Sequence, residues 1–258
     1  MLGYNFISEF PLLAHTEKAC ESLRKRGIDE NIIKQTYKYV DSAIDESSAR
    51  MHFFCMNEVY FTWGLIFVFE EMLRIERFEF EIEANFVHPV RVFENENGET
   101  VILADGVKIH REGYILGAAG YKDEDGAFEG ELLETDEFFE GYAVNDKTHL
   151  FENKLTRLYK KDWKTILKKG DAAIGIHIPA ALPLNDEVCV HSFDVARKVL
   201  KSAYPEYDFK AFETSTWLLA PELTYLLKPQ SNILAFQKYF TIYPYSNSYA
   251  KAVFSFVY

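Results

Sequence analysis

The chain has 258 residues, long enough for one large domain or two modest ones and for a core that buries about 70–75% of the unfolded surface without staples. Aromatic residues make up 16%, with 22 Phe and 16 Tyr, which excludes a disordered chain. The formal net charge of −12 excludes a nucleic-acid binder of the usual kind, because phosphate neutralisation needs clustered Lys and Arg. Cys20, Cys55 and Cys189 show neither disulfide nor zinc spacing and read as buried thiols of a reducing compartment. Residues 1–11 lack a basic n-region, so no secretory leader is expected there. The most apolar stretch, Val59 to Phe69, spans 11 residues between acids, and a bilayer span needs ~20. No membrane contact and a cytoplasmic location are therefore expected.

The first third reads as helix. Leu12, Leu13, Ala19, Cys20 and Leu23 keep helical spacing. Arg24, Lys25 and Arg26 place positive charge at the C-terminal end, and Gly27 stands where a C-cap wants glycine. Asp29 is placed to cap a second helix. Its apolar stripe runs through Ile32, Ile33, Thr36, Tyr37, Val40, Ala43 and Ile44. A third helix, apolar nearly all round, is expected over Asn57 to Arg74.

The period then changes. Phe78, Phe80, Ile82 and Ala84 alternate with Glu79, Glu81 and Glu83, the mark of a half-buried strand, which Val90 to Phe93 would continue. Residues 94–99 form a polar turn, and Thr100 to Ala104 returns as the second strand of a hairpin. Nine acidic residues lie between Asp123 and Glu140, in a segment read as short strands and a mobile acidic loop. Further strands are expected at Asn153 to Tyr159, Ala172 to Pro179, Phe209 to Leu219, Thr241 to Tyr245 and Ala252 to Tyr258. Helices are expected at Lys161 to Lys168, Asp186 to Ala203 (capped by Asn185), Pro221 to Leu227 and Ser231 to Tyr239. The period switch marks the boundary: a helical domain over 1–76, then a mixed, mainly antiparallel sheet with crossover helices over 77–258, an α+β fold.

Trp163 and Leu167, Gly170-Asp171, Ile176-His177-Ile178-Pro179, Ser192, Phe209 with Ala211-Phe212, Trp217-Leu218-Leu219, Ser231-Asn232-Ile233 and Phe236-Gln237 follow one another in a telling order. On these residues the segment from Trp163 to Phe240 resembles the two-domain bacterial acyltransferase-like family. Its members carry an N-acyltransferase-type helical N-terminal domain and a GNAT-like C-terminal domain. Gly27-Ile28 and Arg77-Phe78-Glu79-Phe80-Glu81 fit the entry to that fold. The resemblance implies transfer of an acyl group from acyl-CoA to an amine of a small molecule or peptide. It implies no metal.

His177 is the candidate base, since imidazole titrates near neutrality; the alternative is a buried structural histidine. In a GNAT-like sheet Glu79 and Glu81 should lie near it and offer a carboxylate for the amine proton; otherwise they line a solvated sheet face. The resemblance also makes Tyr239 a candidate donor to a thiolate leaving group. It makes backbone groups around Ala180, Ala181, Leu182 and Asn185 a cradle for the CoA pyrophosphate, and Trp217 and Arg77 acceptor-pocket residues. Ala180-Ala181-Leu182 stands where the family carries glycine, and Asp186 and Glu187 put negative charge at the helix start. A non-catalytic GNAT-like ligand-binding or interaction module is the alternative, and a homodimer through the aromatic-rich terminal strands a further expectation.

Overall fold

The computed structural model describes residues 5–51, 58–82, 85–117, 121–179, 183–220 and 222–244. The fold is α+β: helices lead, and strands dominate the rest of the chain. The chain divides into two compact units. The first holds residues 1–84, 173–183 and 187–212; the second holds residues 85–172, 184–186 and 213–258.

In the first unit, α1 (Asn5–Lys25) ends on Arg24 and Lys25, and Gly27 comes next but one at φ 79°, a left-handed conformation that costs glycine nothing. The Asn31 amide donates to Oδ1 of Asp29 at 2.8 Å as α2 (Glu30–Met51) begins. Of the expected stripe, Ile33, Thr36 and Tyr37 are buried and Ile32 is half-buried; the side chains of Val40, Ala43 and Ile44 lie outside what is described. Arg26 ties the end of α1 to the far end of a later helix: its Nη1 donates to the Ala203 carbonyl at 3.0 Å, and its guanidinium lies 4.3 Å over the Tyr204 ring.

The third helix is shorter than expected. α3 covers Glu58–Val68, and residues 72–75, most of them expected in its last turn, form strand β1 (Met72–Ile75). Glu70 at φ 64° breaks the helix, and Glu76 at φ 53° opens a tight turn into β2 (Phe78–Glu81). Met72-Leu73-Arg74-Ile75 is too short for periodicity to distinguish helix from strand; its pairing with β2 decides.

β1 and β2 belong to a four-stranded sheet in the order β1-β2-β11-β12, with β11 at Ala173–His177 and β12 at Ala211–Glu213. Helix α4 (Asp186–Ala203) connects the last two. Leu73, Phe80 and Ile176 stand in register on one face and are all buried. On this side Phe78 stacks on Phe193 of α4 at 5.1 Å, and Phe80 meets Phe212 at 5.4 Å. Each aromatic ring taken out of water here contributes on the order of 1.5–3 kcal/mol.

The second unit holds a larger antiparallel sheet. Its strands are β3 (Val90–Asn95), β4 (Thr100–Ala104), β7 (Leu133–Glu134), β8 (Phe138–Val144), β9 (Phe151–Tyr159) and β10 (Trp163–Leu167). They run in the order β10-β3-β4-β8-β7, with β9 also paired to β8. β5 (Val107–Ile109) and β6 (Phe128–Gly130) form a separate antiparallel pair. The core is Phe93, Leu103, Phe139, Ala143 and Leu158.

Several expectations need correction in this unit. Val90 to Phe93 does not continue β2; it pairs with β4 in the other sheet. The segment from Lys161 to Lys168 is not a helix but contains β10, antiparallel to β3, with Lys164 3.0 Å from Glu94. Trp163 and Leu167 carry helical spacing, yet a cross-strand partner outweighs an i, i+4 pair. The acidic segment between Asp123 and Glu140 holds the short strands expected there, β6 and β7, but its acids are tethered and not on a free loop. β8 begins within it, Arg111 holds Asp123 and Asp125, and Arg91 and Lys160 hold Glu134. Phe209 to Leu219 splits into β12 and a 3-10 helix over Trp217–Leu219, capped by Thr216. α5 (Leu223–Leu226) and α6 (Asn232–Gln237) come after it, with Ser231 capping α6. Residues 241–244 are not in a strand, and residues 245–258 lie outside the described residues. Among the described residues no helix is long and apolar enough to cross a membrane.

Candidate functional site

The second face of the four-stranded sheet is polar. Arg74 on β1 stands opposite Glu79 on β2, and Glu79 stands opposite His177 on β11, so three chemistry-bearing side chains form one row across three strands. One step along, Met72, Glu81 and Gly175 form the next row. Alternation along each strand is the cause: side chains two apart share a face, so Glu79 and Glu81 project beside His177 while Phe78 and Phe80 project into the core.

Within this face, Nε2 of His177 lies 2.8 Å from Oε2 of Glu81. The bond reaches diagonally, since Glu81 is in register with Gly175 and not with His177. His177 and Glu81 keep 34% and 39% of their side-chain surface, enough for a ligand to approach. The hydrogen bond from His177 holds the Glu81 carboxyl below the usual range against the opposing pull of burial. An ionised carboxylate accepts only, so Nε2 carries the hydrogen and Nδ1 is left as the basic nitrogen. Trp63 of α3 meets the His177 ring edge-to-face at 4.8 Å and 84° and limits the orientations the imidazole can take.

Glu79 is deeper. Burial pushes its carboxyl above the usual range, moderated by Arg74, whose Nη1 lies 3.3 Å from Oε1. Arg74 is also held by its backbone, whose amide donates to Thr36 Oγ1 at 3.0 Å. The two carboxyls are thereby shifted in opposite directions, Glu81 down by its bond to His177 and Glu79 up by burial.

The other expected residues fall elsewhere. Arg77 follows Glu76 in the β1–β2 turn and is 3% exposed. Its amide donates to Ser192 Oγ at 2.9 Å and its Nε donates to the Pro183 carbonyl at 3.2 Å, so it ties the turn to α4 and to the chain just before it. Burial lowers its pKa from the free value. Trp217 and Tyr239 belong to the second unit. Trp217 opens the 3-10 helix and is 42% exposed; the Tyr239 hydroxyl donates to Oδ1 of Asp186 at 3.0 Å. Asn185 is exposed immediately before α4, and Ala180, Ala181 and Leu182 lie outside the described residues.

Trp63 and Arg74 were not legible as site residues. Trp63 sits inside the most apolar stretch of the chain and reads as core. Arg74 reads as the end of a helix. The signal that would have found it is the hairpin pattern itself, a short apolar run, Glu76-Arg77, then alternating Phe and Glu, which sets Arg74 opposite Glu79. Among the described residues no cluster of His, Cys, Asp and Glu could hold a metal.

Residues 72–258 match the GNAT-like C-terminal domain. No curated protein matches the chain. Among solved structures, an acyltransferase in complex with decanoyl-CoA and teicoplanin is similar with a TM-score of 0.54 at 15% identity, over 96% of this chain and 53% of that one. An acyltransferase in complex with decanoyl-CoA gives 0.51 at 15%, over 91% and 47%, and an acyltransferase mutant in complex with octanoyl-CoA gives 0.52 at 13%, over 95% and 50%. The likeness is one of fold, and the chain spans about half the length of the structures it matches.

Proposed function

The chain belongs to the family of the GNAT-like C-terminal domain, and from that premise we propose that it transfers an acyl group from acyl-CoA to an amine of a small molecule or peptide. The observation that carries the reading is the His177–Glu81 pair at 2.8 Å, a half-exposed imidazole oriented by an ionised carboxylate. Solved structures of similar fold that hold decanoyl-CoA, octanoyl-CoA or CoA support the choice of co-substrate.

In the proposed reaction the neutral amine attacks the thioester carbonyl, and the N–C bond forms as the amine proton passes to Nδ1 of His177. Glu81 balances the imidazolium across Nε2. The C–S bond then breaks, and the thiolate takes the proton back from the imidazolium. Backbone groups around Ala180, Ala181 and Leu182 are the proposed hold on the CoA pyrophosphate.

A second reading, a ligand-binding module without turnover, is favoured by one observation: Asp186 and Glu187 are exposed in the first turn of α4, where a pyrophosphate would meet them. Two measurements separate the readings. Thermal unfolding with acetyl-, octanoyl- and decanoyl-CoA reads binding, because a ligand of the folded state raises the midpoint. Release of free CoA thiol on a panel of polyamines, amino acids and peptides reads transfer. Binding with turnover supports the enzyme, binding without turnover supports the module, and the absence of any shift at millimolar acyl-CoA overturns the enzyme.

A further inference from the structure

Gly175 is buried in the middle of β11, where a glycine weakens a strand and has to be explained by what approaches it. Its backbone is not in the left-handed region, so its conformation does not demand glycine. The space around it is tight. A Cβ added there would lie 3.1 Å from the Cβ and 3.1 Å from Oε2 of Glu81, with the Glu81 carboxyl carbon at 3.8 Å, and the three nearest atoms all belong to this one side chain. Oε2 is the oxygen bonded to His177 Nε2. Glu81 is in register with Gly175, whereas His177 lies two residues further along the same face, so the carboxylate must cross the Gly175 position to reach the imidazole.

We propose that Gly175 is a positioning residue: its missing side chain is the channel through which the Glu81 carboxylate reaches across β2 and β11 to lock Nε2 of His177. A methyl group at 175 would stand 3.1 Å from Oε2, so the Glu81 side chain has to give way and its bond to the ring is weakened. The imidazole then loses the partner that fixes its hydrogen on Nε2, while Glu79 in direct register, Arg74 beyond it and Trp63 against the ring remain in place. The inference deepens the acyl-transfer reading by naming what keeps its base in one tautomer, and it rests on that reading only for its catalytic consequence.

The test needs no acyl-CoA. The Glu81 carboxyl is titrated by carbon NMR in the wild type, Gly175→Ala and His177→Gln. In the wild type it titrates below the ordinary range; in Gly175→Ala it rises as it does in His177→Gln, and the double variant shows no further rise. A stability cycle gives the second reading: Gly175→Ala lowers the unfolding midpoint by about 2–4 °C, the scale of one lost contact in a chain of this size, and by no more than a fraction of that when Glu81 is already alanine. If Gly175→Ala alone does not fold, the Gly175→Ala/Glu81→Ala double variant does. An unchanged Glu81 titration in Gly175→Ala, or an equal midpoint loss in both backgrounds, overturns the proposal. Loss of the His177–Glu81 link with no acyl transfer in any variant would sink the enzymatic reading and leave this one standing.

Discussion

Nε2 of His177 on β11 lies 2.8 Å from a carboxylate oxygen of Glu81 on β2, and the two residues are not register partners. The bond runs diagonally over a glycine and joins strands 96 residues apart in the chain, so it exists only once β2 and β11 are paired. It gives the imidazole a defined acceptor nitrogen and places the candidate base among the secondary elements, on a rigid strand rather than a loop.

His177→Gln is expected to lower kcat/KM for acyl transfer by about 10²–10⁴-fold, the range of a positioned general base, and to lower the unfolding midpoint by about 2–4 °C because its bond to Glu81 is lost. Thiol-release kinetics on the best acceptor check it. A loss below about tenfold removes His177 from the proton path.

The acid limb of the stability curve carries the signature of Glu81. Its folded-state pKa lies below the unfolded value, so the pair adds stability above the unfolded carboxyl pKa, and that stability is lost as pH falls through the folded value. Glu81→Gln flattens this part of the curve. Urea unfolding from neutral pH down through the carboxyl range reads the slope. Glu79 has the opposite sign: burial raises it, so its contribution declines as pH rises through its folded value.

Arg74 is expected to matter more for stability than its place on an edge strand suggests. Arg74→Met leaves the Glu79 carboxylate, 11% exposed, without its guanidinium and costs about 1–3 kcal/mol near neutral pH. Arg74→Met/Glu79→Gln recovers most of it, since the buried charge is gone. Equilibrium urea unfolding of the single and double variants measures both; a double variant as unstable as Arg74→Met would show that the loss lies in the Arg74 packing.

Trp63→Leu keeps an apolar group on α3 but removes the flat ring beside His177. The expected outcome is a fall in kcat with KM for the acyl donor unchanged, because the indole positions the base and not the donor. Trp63→Phe restores part of the rate. A change confined to KM would instead assign Trp63 to ligand contact.

The opposite face of the same sheet sets the scale for pure packing. Phe80 is fully buried against Phe212, and Phe80→Ala is expected to cost about 3–5 kcal/mol. Chemical denaturation gives the value, and a loss under about 1 kcal/mol would mean that the site collapses around the missing ring.

What the sequence determined by itself is local. The 3.6-residue spacing of α2 and α4, the Gly27 stop, the Asp29 and Ser231 caps and the Phe–Glu alternation of β2 are set by contacts within a few residues, and each is where the pattern put it. So is the side of the strand on which His177, Glu79 and Glu81 stand, which alternation alone decides. Tertiary structure decided what depends on partners far along the chain. Met72 to Ile75 and Trp163 to Leu167 became strands because β2 and β3 offered their edges. Glu79 and Glu81, equivalent in the sequence, became unlike acids because one was buried beside Arg74 and the other was bonded to His177. Trp63 and Gly175 acquired their places for the same reason: strand pairing and helix docking are long-range, and no window of the sequence contains both sides of them.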